Sequence, residues 1–94
     1  KGGGGLYLHL GQNVVVRTDT IIGIFDIENT SMSRLTRHYL AQAEKKGWVI
    51  NVSQELPKSF IVCEDQRKTV VYISQISPAT LRKRTGFMAG LAHP

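Results

Sequence analysis

The sequence lacks most of the residues that hold a small fold together covalently or through a metal. It has one cysteine, Cys63, so it forms no internal disulfide, and no cluster of cysteine and histidine has metal-ligand spacing. It has no apolar run of about 18 residues and no secretory signal, so we expect no membrane span, no membrane partner and a cytoplasmic protein. The 94 residues predict one domain, and its small core favours association with further copies of itself.

Aromatic and acidic residues are also few. Aromatic residues make up 7% of the chain, and they do not form the aromatic and basic pattern on which single-stranded bases stack. The 7 acidic residues are scattered, and no carboxylate pair is placed for acid–base chemistry. Cys63 lies in an apolar strand pattern, and nothing brings it to His9 or His38. We therefore predict no enzyme, no cofactor, no metal and no small-molecule substrate.

Basic residues are what the chain has in excess. Lysine and arginine number 12, and the net charge of +5 suits a polyanion, although a merely soluble basic surface explains it equally well. A charged helix face commonly does no more than contact solvent. Cations in the last turn of a helix are stabilised by the helix dipole, which explains their presence without a binding role. Apart from Lys1, Arg17 and Lys46, the basic residues fall into four groups: Arg34, Arg37, His38 and Lys45 on one helix face; Lys58 beside a proline; Arg67 and Lys68 at a hairpin tip; and Arg82, Lys83 and Arg84 near the end.

The apolar pattern predicts an α+β domain over residues 6–85. A period of 3.6 over residues 31–46 predicts a helix that begins at Ser31 or Ser33 and ends at Gly47. Ser77 and Pro78 begin a short C-terminal helix. We expect a small, mainly antiparallel sheet, without parallel βαβ repeats, around the longer helix. Strands are predicted at 6–10, 14–16, 20–25, 48–52, 59–63 and 69–74, residues 1–5 as a disordered arm or expression remnant, and 86–94 as a flexible tail or docking segment.

Five blocks of the chain read, in order, LYLHLGQNVVVR, IIGIFD, VINVS, LPKSFIV and VYISQIS. They resemble the small bacterial extracellular-matrix regulators of the RemA and RemB family, most closely the RemB branch. The resemblance implies a DNA-binding transcriptional regulator of biofilm-matrix genes, with a fold similar to the LytTR DNA-binding domain. It also implies closed homo-oligomeric rings that carry DNA-contacting loops on the outside.

The resemblance also points to particular residues. The RemA branch contacts DNA through an arginine between its second and third strands, where Arg17 is the counterpart here. It also uses an arginine-rich turn, which here reads ELPKS and keeps Lys58 as its one cation. With the hairpin tip added, we predict double-stranded DNA contacts at Arg17, Lys58, Arg67 and Lys68, with the Arg17 and Lys58 loops close together on one face. The alternatives are a regulatory or protein-interaction ring that does not bind DNA and, more weakly, an RNA-binding module.

Overall fold

The structure is a computed structural model that describes residues 7–28 and 33–85. The predictions for residues 1–5 and 86–94, and for Ser31 as a helix cap, lie outside these residues. Within them the α+β class is confirmed. The elements are β1 (Tyr7–Gly11), β2 (Val14–Arg17), a 3-10 turn (Thr18–Thr20), β3 (Ile21–Asp26), α1 (Arg34–Lys45), β4 (Val49–Asn51), β5 (Ser59–Asp65), β6 (Lys68–Ser74) and α2 (Pro78–Thr85).

The strands form a four-stranded sheet in the order β3-β5-β6-β4 and a separate two-stranded hairpin of β1 and β2. Strands β3, β5 and β6 pair antiparallel, as predicted. Strand β4 pairs parallel with β6, Val49 lying opposite Val71. The sheet is mainly antiparallel, as predicted, and contains one β3-α1-β4 crossover rather than repeated βαβ units, because α1 returns the chain to the end of the sheet at which β3 began. Strands β3 and β4 consequently run in the same direction.

The four-stranded sheet is the middle layer of the fold. Side chains alternate along β5, so that Phe60 and Val62 face α1 while Ile61 and Cys63 face the hairpin and α2. Cys63 is therefore a small core residue, as predicted. The hydroxyl of Ser74 in β6 donates a buried hydrogen bond of 2.8 Å to the main-chain oxygen of Leu10, which links the two sheets. The first core cluster contains Ala43, Phe60, Val62, Val71 and Ile73; the second contains Leu8, Leu10, Val16, Val52, Ile61, Cys63 and Leu81.

Helix α1 begins and ends where its polar residues predict. The Ser33 hydroxyl accepts a hydrogen bond of 3.0 Å from the Thr36 amide, and Gly47 takes the left-handed conformation (φ 77°) after the last turn. The helix does not bury its whole apolar stripe, however. Ala43 is fully buried, but Leu35, at the same helical spacing, is 81% exposed. The sheet therefore covers the second half of α1 and leaves apolar surface uncovered near its start.

Candidate nucleic-acid interface

The hairpin between β5 and β6 presents two cations at its tip. Asp65 pairs with Lys68, so the turn has two central residues, and both take positive φ: 50° at Gln66 and 68° at Arg67. This is the conformation that Asn-Gly normally supplies in a two-residue hairpin. A non-glycine residue in the left-handed region costs about 1 kcal/mol or more. The chain thus accepts local strain to place an exposed arginine at the tip.

Arg17 occupies the end of β2, just before the 3-10 turn. Its Nη2 donates to Asp19 Oδ2 at 2.5 Å, and the two side chains are 58% and 57% exposed. An ion pair this exposed contributes about 0.2–1 kcal/mol. The hydroxyl of Thr20 donates to the main-chain oxygen of Arg17 at 2.7 Å and helps to hold the turn. Asp19 therefore orients the guanidinium and also offsets its charge.

The fold brings three of the four predicted DNA-contacting residues to one end of the sheet. Arg17 and Lys68 line the same cavity of about 300 Å³, together with Asp65. Lys68 also lines a neighbouring cavity with Arg67 and Trp48. The three cations form a row that crosses this end from the hairpin layer to the outer strand β4. We call this row, with Lys46, the tip surface: Arg17, Lys46, Arg67 and Lys68.

Lys58 lies at the other end of the sheet. Its amide donates to the main-chain oxygen of Ser74 at 2.8 Å, and the next residue, Ser59, pairs with Asp26 at the end of β3. Arg17 instead precedes the start of β3, where Ile21 pairs with Cys63. Four residues of β5 separate the two ends, which is about 13 Å of strand.

The prediction that the Arg17 and Lys58 loops share one face was therefore wrong for a single chain. Each loop does precede a core strand, β3 in one case and β5 in the other. Because these two strands are antiparallel, their starts lie at opposite ends of the sheet. Sequence order alone does not reveal this, whereas the register does.

Lys46 and Trp48 are members of this region that the sequence analysis did not select. The Lys46 ammonium lies over the indole ring, 4.6 Å from its centroid. A cation–π contact of this kind contributes about 0.5–1 kcal/mol at an exposed site. The sequence signal was the run Lys45-Lys46-Gly47-Trp48, which we interpreted as a helix end. Its position beside Lys68 depends on the parallel pairing of β4 with β6, in which the Val71 amide donates to the Trp48 oxygen at 2.9 Å.

Two cations of α2, Arg82 and Arg84, hold the helix against the strands beside it. Arg82 Nη2 donates to the main-chain oxygen of Ile24 at 2.6 Å, and Arg84 Nη1 donates to that of His9 at 3.4 Å. These two hydrogen bonds fasten α2 to β3 and to the hairpin. On α1, Arg34, Arg37 and His38 are exposed, as the polar face of the helix predicts.

Cys63, the candidate nucleophile, is buried in the core. Burial raises the pKa of the Cys63 thiol, and a hydrogen bond with Thr20 offsets part of that rise. Burial also raises the pKa of Tyr72, with a further contribution from Cys63. Such a thiol stays protonated and is a weak nucleophile at neutral pH. Across residues 7–28 and 33–85 there is no cluster of three or more metal-ligating side chains, and none of the helices there is long and apolar enough to cross a membrane.

Comparison with known proteins gives two matches that cover the fold just described. The family model for RemA-like proteins, described as extracellular matrix regulatory protein A-like, matches residues 7–85. Extracellular matrix regulatory protein B of Bacillus subtilis (strain 168) is 36% identical over 83 residues, which cover 88% of this chain and 94% of that protein. The matched region contains both ends of the sheet, and so includes the tip surface and the Lys58 turn.

Proposed function

The chain belongs to the RemA-like family of extracellular matrix regulatory proteins, and we propose that it regulates matrix genes by binding double-stranded DNA as a cytoplasmic, ring-shaped homo-oligomer. A fold similar to the LytTR DNA-binding domain, which the family resemblance implies, is part of the proposal. The relatives carry a regulatory name rather than an enzymatic one, and this agrees with a protein that acts by binding.

The observation that carries the proposal is the row of cations at one end of the sheet. Arg17 comes from the end of β2, Arg67 and Lys68 come from the tip of the β5–β6 hairpin, and these two segments meet at two adjoining cavities. A strained turn holds Arg67 outward, and strain of this kind occurs more often at functional sites than elsewhere. Arginine and lysine at a loop and a hairpin tip bind phosphate oxygens, and such contacts position a protein on duplex DNA.

The position of Lys58 gives the ring a specific role in this proposal. Arg17 and Lys58 lie at opposite ends of one subunit. Head-to-tail association closes into rings, and it joins one end of each subunit to the other end of the next. In such a ring the Lys58 turn of one subunit and the Arg17 turn of its neighbour form one composite contact, repeated around the rim. One DNA segment then engages several subunits, so its overall affinity exceeds that of any single contact.

A titration of fluorescent duplex DNA at two salt concentrations tests the proposal. We expect binding that weakens steeply with salt, with a slope of roughly −0.9 in log K against log salt for each phosphate neutralised. Arg17→Ala should weaken binding to every duplex and reduce that slope by about one contact. No binding even at low salt would exclude DNA as the partner.

The alternative is a regulatory ring that binds another protein. It is favoured by the carboxylates within the candidate site, because Asp19 pairs with Arg17 and Asp65 lines the same cavity as Lys68. These acids lower the positive potential that a phosphate backbone would meet. Absence of DNA binding together with a homo-oligomeric mass would support this alternative.

A further inference from the structure

An apolar groove passes around the outer edge of β3, an outer strand of the four-stranded sheet, from the face that packs on α2 to the face that packs on α1. It consists of two adjoining cavities of about 390 and 360 Å³ that share Ile22 and Phe25. The first lies between β3 and α1, where it includes Leu35 and Tyr39, and the second lies between β3 and the end of α2. Ile22 is 61% exposed. A continuous apolar surface of this kind commonly marks a docking site.

The floor of the groove is preformed. The Phe25 ring stacks on Phe60 with centroids 4.8 Å apart, and it lies over Gly23. A Cβ atom at position 23 would be 2.6 Å from the Phe25 ring, so glycine is required for this arrangement. The Phe25 ring therefore packs between Phe60 and Gly23, and it forms part of the floor of the groove.

The chain leaves α2 at the mouth of this groove. Thr85, the last residue of α2, lines the second cavity together with Ile21 and Ile22. The Arg82 hydrogen bond to the oxygen of Ile24 holds the end of α2 against β3, and the Thr85 hydroxyl donates to the Arg82 oxygen at 2.7 Å. Whatever follows Thr85 starts beside the apolar surface.

The residues that follow match the surface in chemistry and in reach. Residues 86–94 read GFMAGLAHP and carry no lysine, arginine or acid, while Phe87, Met88 and Leu91 are large and apolar. From Thr85, an extended chain brings Phe87 to about 7 Å and Leu91 to about 20 Å. This reach is long enough for the segment to pass from the α2 side of β3 around its outer edge to the α1 side.

We propose that residues 86–91 dock in the β3 groove of the same chain, with Phe87 and Met88 in the cavity next to α2 and Leu91 directed toward α1. The docked segment covers apolar surface and shields the outer edge of β3. An uncovered strand edge is a template for pairing with other chains, so the docked segment prevents a strand of another molecule from pairing with β3. This role is independent of DNA binding and does not rest on it.

A pair of engineered cysteines tests the docking. We would place Ile22→Cys and Met88→Cys in a full-length Cys63→Ala protein and oxidise it with oxidised glutathione. A short tether gives an effective concentration in the millimolar range, about 100 times that of a sample near 10 µM. The expected product is a disulfide within one chain, identified by its mass on a non-reducing gel and by peptide mapping.

The matched control pairs Ile50→Cys with Met88→Cys in the same background. Ile50 is 45% exposed on β4, the opposite outer strand, three strand spacings or about 14 Å from β3. We expect the Ile22 pair to close at least about ten times faster than the control pair, given the proximity effect of the tether. Equal rates would overturn the proposal. A disulfide that joins two chains would also overturn it, and would assign the groove to a second copy.

A shortened protein that ends at Thr85 gives an independent readout. Removal of the segment should uncover the groove and raise the fluorescence of the apolar dye ANS above that of the full chain. Phe87→Ser should give part of this rise. The melting temperature of each variant reports whether the fold survives. Unchanged dye fluorescence in a folded, shortened protein would contradict the docking.

Discussion

Arg17 and Lys68 line the same cavity, although one ends β2 and the other begins β6. Two segments that the sequence separates widely thus place their cations together at the end of the sheet. Two carboxylates lie beside these cations, because Asp19 pairs with Arg17 and Asp65 lines the same cavity. Affinity for a polyanion at this end therefore depends on a local balance of charges, and the first prediction uses that balance.

Neutralising Asp19 should strengthen DNA binding. Asp19→Asn removes the carboxylate that pairs with Arg17, so the guanidinium becomes available to a phosphate. We expect the duplex affinity to rise by about two- to fivefold at low salt, which corresponds to the typical free energy of an exposed ion pair. Anisotropy of labelled duplex measures the change. Asp19→Glu, which keeps the negative charge at the same position, is the control, and an equal rise there would show that loss of the charge is not the cause.

Replacing the strained tip should separate stability from binding. In Gln66→Asn/Arg67→Gly the turn acquires the residues that its conformation prefers. We expect the free energy of unfolding to rise by about 0.5–1 kcal/mol while DNA affinity falls. Urea unfolding and anisotropy measure the two effects. Gln66→Asn alone should keep the affinity, because it retains Arg67. Unchanged affinity in the double variant would remove Arg67 from the interface.

Mixed subunits should test whether the DNA contact is composite. We expect the protein to sediment as a species larger than the 10.5 kDa single chain. Arg17→Ala and Lys58→Ala should each bind DNA weakly as separate samples. When the two variants are refolded together, some junctions join an intact Lys58 to an intact Arg17. The mixture should then bind more tightly than either variant. Binding equal to the average of the two would contradict a site shared between subunits.

The free energy of unfolding should fall at alkaline pH. The folded protein raises the pKa of Cys63 above its ordinary value of 9.0 because the thiol is buried. The stabilisation from keeping this thiol protonated is complete below pH 9.0 and is lost as the pH rises through the folded pKa. Tyr72, whose ordinary value is 10.0, adds a loss of the same sign at still higher pH. Melting temperatures between pH 8 and 11 should fall less steeply in Cys63→Ala than in the unchanged protein, and parallel curves would contradict this assignment.

Local sequence patterns predicted most of the elements of this fold. Ser77 caps α2 by accepting a hydrogen bond from the Thr80 amide at 3.3 Å, as the Ser-Pro start predicts. The alternation of Leu8 and Leu10 with exposed Tyr7 and His9 also holds in the structure. These features depend on residues close together in the chain, so periodicity and capping chemistry were sufficient to find them.

The candidate site was harder to predict because it depends on pairing between distant strands. The parallel register of β4 with β6 brings Trp48 beside Lys68, and no local pattern encodes that register. The antiparallel register of β3 with β5 separates Arg17 from Lys58. Composition identifies the cations of the chain, but the geometry of the sheet decides which of them are neighbours.

Trp48 also gives the protein an optical property. It is the one tryptophan in the chain, and its indole ring lies beneath the Lys46 ammonium, in the cavity that Arg67 and Lys68 line. An anion that draws Lys46 away from the ring changes the electric field at the indole and therefore its emission. We therefore expect the intrinsic fluorescence of the unlabelled protein to change when duplex DNA is added, if the DNA binds at this end of the sheet.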